Sequence, residues 1–140
     1  MLMDSLEVNK TLQKVVLSDN SISDVGMARL SKSLPLLSLH SLDITNNSYE
    51  HLEILEPGLA QNTSLCKLEL DIKPTSQLMY YLVLNRNGRH LKLPNSIKLS
   101  MWPVVLERTA NCLDEEQFSA GIIPADIIFD LLHGPALLER

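Results

Sequence analysis

A chain of 140 residues is long enough for one modest core. Hydrophobic residues make up 45% of it and charged residues 21%, and the net charge of -5 argues against a nucleic-acid partner, whose phosphates call for a basic face. No stretch is long and apolar enough for a transmembrane helix, so no membrane association is expected. Met1-Leu2-Met3-Asp4 carries no basic n-region and leads into no long apolar run, so no secretory signal is predicted. Cys66 and Cys112 are too few for a disulfide framework or a metal cluster. A cytoplasmic location is the expectation, with the nucleus as the alternative.

Leu2 and Leu6 predict the end of a helix before the first strand. The pattern Leu12-x-x-Val15-x-Leu17-x-x-Asn20 follows, and it returns twice. Its second copy is Leu39-x-x-Leu42-x-Ile44-x-x-Asn47 and its third is Leu65-x-x-Leu68-x-Leu70. Leu12 and Leu39 are 27 residues apart, and Leu39 and Leu65 are 26 apart. Each stretch predicts a short strand with its apolar side chains inward, and each interval predicts a helical return. In the first interval Met27, Leu30 and Leu34 fall on one helical face, with Ser23 or Asp24 as the N-cap. In the second, Leu52, Leu55 and Leu59 repeat the spacing, but Pro57-Gly58 predicts a short or broken helix. The apolar run 76–87 is placed after a third strand and before Gly88, which favours a helix over a strand. Beyond it, Pro103 suits a first helical turn, and Ile127, Ile128, Leu131 and Leu132 form one face that Gly134 would end.

A fixed period of 20–29 residues around L-x-x-L-x-L is the mark of a leucine-rich repeat. With Asn20 and Asn47 closing the strands, residues 1–90 resemble the ribonuclease-inhibitor-like subfamily. The resemblance implies an α/β fold: a short solenoid with parallel strands on its concave side and helices on its convex side. It also implies that Asn20 and Asn47 hydrogen-bond turn backbone in a ladder. Lys73 holds the third such position, so the ladder is expected to stop there. Residues 91–140 are expected to form an α-helical C-terminal cap. The pieces Leu84–Arg89, Trp102–Arg108 and Gly134–Leu138 resemble a tail behind such repeats in microbial-eukaryote proteins, which carries no activity with it. Because Met1 falls inside a repeat with no polar cap before it, the chain is expected to be part of a longer repeat protein. Alternatively, its first strand pairs elsewhere, and self-association through that strand is one such route.

Alternation along each strand sets the candidate partner-binding residues on the concave face. They are Lys14, Val16 and Ser18, then Ser41, Asp43 and Thr45, then Lys67, Glu69 and Asp71. Asp43, Glu69 and Asp71 would form an acidic patch flanked by the two lysines. The resemblance implies binding of another protein, with regulation of an enzyme as the alternative, as in ribonuclease-inhibitor-like and Ran GTPase-activating proteins. The arginine-bearing loop of the latter stands at its solenoid start and cannot be placed here, because the sequence begins too late in the repeats. From Ile72 to Leu106 there is no acid, while Lys73, Arg86, Arg89, Lys92 and Lys98 stand together, a basic run that could meet an acidic partner. His40, His51, His90 and His133 show no metal spacing, Asp114-Glu115-Glu116 reads as a solvated loop, and no phosphate loop is present. No catalytic residue, metal or cofactor is expected.

Overall fold

A computed structural model describes residues 2–87 together with Arg89 and Glu107. The cap expected at 91–140, with its Trp102 and Ile127 segments, Cys112 and the acidic triplet, lies, apart from Glu107, outside the described residues. The fold is mixed α/β around a three-stranded parallel sheet of order β1-β2-β3. Helix α1 spans Leu2–Val8, β1 Lys14–Val16 and α2 Asp24–Ser33, which runs on into a 3-10 turn at Leu34–Leu36. Next come β2 at Ser41–Asp43, a 3-10 turn at Leu52–Leu55, α3 at Glu56–Gln61, β3 at Lys67–Glu69 and α4 at Ser76–Arg86.

The strands pair without slip. Lys14 lies opposite Ser41 and Ser41 opposite Lys67; Val15, Leu42 and Leu68 form the next row, and Val16, Asp43 and Glu69 the third. Pairing continues past the strand ends, where the Leu17 and Asp19 N–H groups donate to the Asp43 and Thr45 carbonyls at 2.7 and 3.1 Å. One core joins Leu39, Leu42, Ile44 and Leu65 of the sheet side to Met27, Leu30, Leu55, Leu59, Leu78 and Leu82 of the helices. All ten are buried, which is why the sequence spends leucine there.

The turns differ from expectation in their details. Ser23 occupies the N-cap of α2, yet neither it nor Asp24 caps that helix with its side chain. Asp24 reaches instead to the following unit, where its Oδ1 accepts the backbone N–H groups of Glu50 and His51 at 2.9 and 3.2 Å. The helix of the second interval is short, as expected, but Pro57-Gly58 lies inside its first turn and does not interrupt it. Its chain coils first as a 3-10 turn, and Pro57 then sits in the first turn of α3, where its missing N–H has no intrahelical partner to lose. Thr75 caps α4, its side chain accepting the Leu78 N–H, and its hydroxyl donates to Glu56 Oε1 at 2.6 Å.

Gly58 is needed for a contact between helices. A Cβ there would stand 2.0 Å from the Ser31 carbonyl oxygen, while the Gly58 N–H already donates to Ser31 Oγ at 3.2 Å. Helices α2 and α3 therefore meet backbone to backbone. Gly58→Ala is expected to cost about 2–3 kcal/mol through overpacking, lowering the thermal midpoint by roughly 10 °C. A midpoint equal to that of the unaltered protein, read by circular dichroism, would show that the helices can part at no cost.

Candidate functional site: the solvent face of the sheet

Alternation along three strands brings together most of the residues read as a partner-binding face. Lys14, Val16 and Lys67 are exposed, Asp43 and Glu69 are half-buried, and Ser18, Thr45 and Asp71 continue the same rows beyond the strand ends. Ser41 departs from the expectation of exposure. Only 9% of its surface is accessible. It stands in the central strand with Lys14 and Lys67 on either side in its row, and its short side chain cannot rise past two long ones. It is the floor of the site.

The charges on this face are held locally. Lys67 Nζ lies 2.9 Å from Glu69 Oε1, an exposed pair on one strand. Asp43 Oδ1 accepts the Thr45 N–H at 3.0 Å and the Thr45 hydroxyl at 2.8 Å. Those two bonds, chiefly the backbone one, hold its carboxyl below the ordinary range, with the Lys14 and Lys67 ammonium groups adding to the effect. Asp71 serves the fold as well as the face. Its Oδ2 accepts the Asn46 N–H at 2.6 Å, and its own N–H donates to the Tyr49 hydroxyl at 3.4 Å. Burial pushes the Tyr49 phenol up, keeping it a neutral hydrogen-bonding group.

Beneath the face, Asn47 fixes the turns. Its Oδ1 accepts the N–H groups of Asn20 at 3.1 Å and Ile22 at 2.8 Å, both in the preceding unit. Its Nδ2 donates to the carbonyls of Leu17, Ile44 and Thr45 at 2.9–3.1 Å. The Asn20 side chain does much less: among the described residues it donates to the Ser18 carbonyl at 2.8 Å, from an exposed position. Among the described residues Lys73 makes no such bonds, and Asp71 supplies one acceptor in its place.

Sequence reasoning missed a second set of buried amides on the other side of the strands. Asn62 Oδ1 accepts the Ser64 and Leu65 N–H groups at 3.0 and 2.7 Å, and its Nδ2 donates to Leu34 O at 2.6 Å. Asn85 Nδ2 donates to Leu65 O at 2.8 Å. The signal was present: Asn9-x-Thr11-Leu12 and Asn62-x-Ser64-Leu65 stand two periods apart, and Asn9 Oδ1 takes the Thr11 and Leu12 N–H groups in the same way.

The basic run is partly spent on structure. Arg86 Nε donates to Cys66 O at 2.7 Å. Arg89 donates to the Leu59 and Ala60 carbonyls in the last turn of α3 and to the Asn62 carbonyl just beyond it, and lies over the Tyr81 ring, 5.5 Å from its centre. Lys73 is exposed; Lys92, Lys98 and His90 lie outside the described residues. Cys66 is a packed thiol that donates to Ser64 O at 3.4 Å, and burial raises its pKa. Among the described residues no group of three or more His, Cys, Asp or Glu side chains could hold a metal ion. No described helix is long and apolar enough to cross a membrane. Comparison of the chain with protein-family models, with curated proteins and with solved structures gives no match.

One titrating contact ties the first unit to the second. His51 Nδ1 lies 2.6 Å from Asp24 Oδ2, which raises the imidazole pKa and lowers that of the carboxyl. The raised histidine contributes stability below about 6.5 that is lost as pH climbs through its folded value; the lowered carboxyl contributes above about 3.8 and is lost as pH falls. The two windows overlap near pH 5. His51→Ala is expected to lose more thermal stability, relative to the unaltered protein, at pH 5 than at pH 8.5. An equal loss at both values would mean the pair adds nothing when charged.

Proposed function

We propose that the chain is a noncatalytic protein-interaction module of the leucine-rich-repeat type, binding another protein through the concave face of a short solenoid. The repeat resemblance supplies the class, and the strand–helix units stacked in one parallel register support it. The observation that carries the binding site is the third strand row with its neighbours. Val16, Asp43 and Glu69 stand side by side, flanked by Lys14 and Lys67, on backbone that Asn47 and Asp71 hold in place. A rigid polar surface of mixed charge suits recognition of a complementary protein surface, because its side chains lose little freedom on binding. Three carboxylates, Asp43, Glu69 and Asp71, face outward against the two lysines, so the partner presents a basic patch opposite the sheet centre. The arginines of the basic run serve the fold, and this supports a protein partner over a nucleic acid.

The test is charge reversal on a folded scaffold. A partner retained on the immobilised chain and identified by mass spectrometry is titrated against the Asp43→Lys/Glu69→Lys double variant. Affinity is expected to fall at least about tenfold, mainly through a slower association rate, with melting close to that of the unaltered protein. Unchanged affinity in a folded variant would exclude this face as the partner's site.

A further inference from the structure

We propose that Lys14, Ser41 and Lys67 form a phosphoryl-binding notch on the solvent face of the sheet, which receives a phosphorylated serine side chain of the partner protein. The inference deepens the reading of this face as a docking surface and rests on it.

The three residues stand side by side in one row, each on a different strand. The row is centred on β2, with a strand on each side, so the floor and both walls belong to the described residues. Ser41 is the floor, only 9% accessible. Its backbone N–H donates to Gln13 O at 3.0 Å, but its hydroxyl has no hydrogen-bond partner among the described residues. A hydroxyl so enclosed calls for a partner, because leaving it bare costs what a lost hydrogen bond is worth. The other two members of its row are exposed lysines.

The cations are placed to answer that need. Adjacent strands lie about 4.8 Å apart, so the backbones that carry Lys14 and Lys67 flank Ser41 closely on either side. Both ammonium groups also act on the Asp43 carboxyl, two residues along β2, which sets their charge over the central strand. Lys14 has no ion pair among the described residues. Lys67 has an exposed one, to Glu69 at 2.9 Å, and such a pair is weak enough for the lysine to turn to a stronger anion. Asp43 does not close the notch. Its Oδ1 is drawn forward by the N–H and hydroxyl of Thr45, two residues farther from Ser41.

This chemistry selects the occupant. Two ammonium groups and one hydroxyl offer donors from three sides. A phosphoryl group meets them with three oxygens and close to two negative charges, whereas a carboxylate has two oxygens and one charge. About 6.6 Å farther along the strands the face turns acidic, at Asp43 and Glu69. An extended segment repeats its side chains on one side at the same two-residue interval. The occupant is therefore an extended stretch with a basic residue two positions from a phosphoserine. The phosphoserine sits over Ser41, and the basic side chain over Asp43. A nucleic acid would carry further phosphates onto those carboxylates.

The probe is the blocked peptide lysine–alanine–phosphoserine–alanine–lysine, whose two lysines serve either strand direction. It is titrated into the isotope-labelled full chain and followed by amide chemical shifts. Saturable shifts at Lys14, Ser41, Leu42 and Lys67 are expected, and none from the same peptide with unmodified serine. Ser41→Ala is expected to weaken binding about tenfold, the worth of one hydrogen bond to a charged group, and Lys14→Gln at least as much. Glu69→Gln releases Lys67 and is expected to tighten binding about threefold, a gain that no misfolded variant would give. Lys32→Gln, the same charge change at an exposed lysine of α2, is expected to leave binding unchanged. The proposal is overturned by equal binding of the unphosphorylated peptide, by equal weakening in Lys14→Gln and Lys32→Gln, or by no saturable shift at millimolar peptide. Saturation by inorganic phosphate but not by the peptide overturns it too, since a free anion would then be the ligand. None of these results bears on the charge-reversal experiment above, which turns on Asp43 and Glu69 and needs no phosphate.

Discussion

A chain that turns sharply from strand to helix leaves backbone polar groups pointing inward, and those groups must find partners. Here the turns pass through left-handed backbone at Asp19, Ser21 and Asn46, which breaks the regular ladder. Asn47 answers this need from both sides of one amide. Its oxygen takes two N–H groups of the unit before it, and its nitrogen serves one carbonyl of that unit and two of its own. Aspartate could not donate, serine has a single proton to give, and lysine cannot accept. The two units must therefore sit at one fixed spacing, and the strand register follows from it. At the third unit the amide is absent, and Asp71 supplies one acceptor, enough for the Asn46 N–H alone.

The helical side is fixed by other means. Gly58 lets α3 rest on the Ser31 carbonyl, Asn62 ties the turn before β3 to Leu34 at the end of α2, and Arg89 binds carbonyls at the C-terminal end of α3. Strands and helices are thus held by separate polar contacts around a leucine core. For the proposed interaction face the consequence is rigidity: the rows of Lys14, Asp43 and Glu69 are displayed on backbone whose spacing does not depend on those side chains.

Much of this fold was legible because two periodicities coincide. The repeat of Leu12, Leu39 and Leu65 marks where strands lie, and the internal L-x-x-L-x-L marks which side chains turn inward. Residues 76–87 were ambiguous by composition, and their place after β3 correctly favoured α4. What was hidden depends on contacts between units. Nothing local tells that Asp24 would leave its own helix for the Glu50 and His51 N–H groups, 26 and 27 residues on. The burial of Ser41 comes from its neighbours in the row, and alternation alone reports only which face it is on. The arginines at 86 and 89 read as a charged patch in one dimension and as caps on carbonyls in three. Asn62 was missed because its match, Asn9, skips a unit, with Leu36 in between.

The most direct measurement compares the unfolding free energies of Asn47→Ala and Asn20→Ala by urea denaturation. The side chains have the same chemistry and equivalent positions, but only Asn47 spans two units. Loss of about 3 kcal/mol for Asn47→Ala, from backbone groups left without partners, is expected beside a change within about 0.5 kcal/mol for Asn20→Ala. Equal losses, or an Asn47→Ala variant as stable as the unaltered chain, would contradict the claim that this amide sets the spacing of the units.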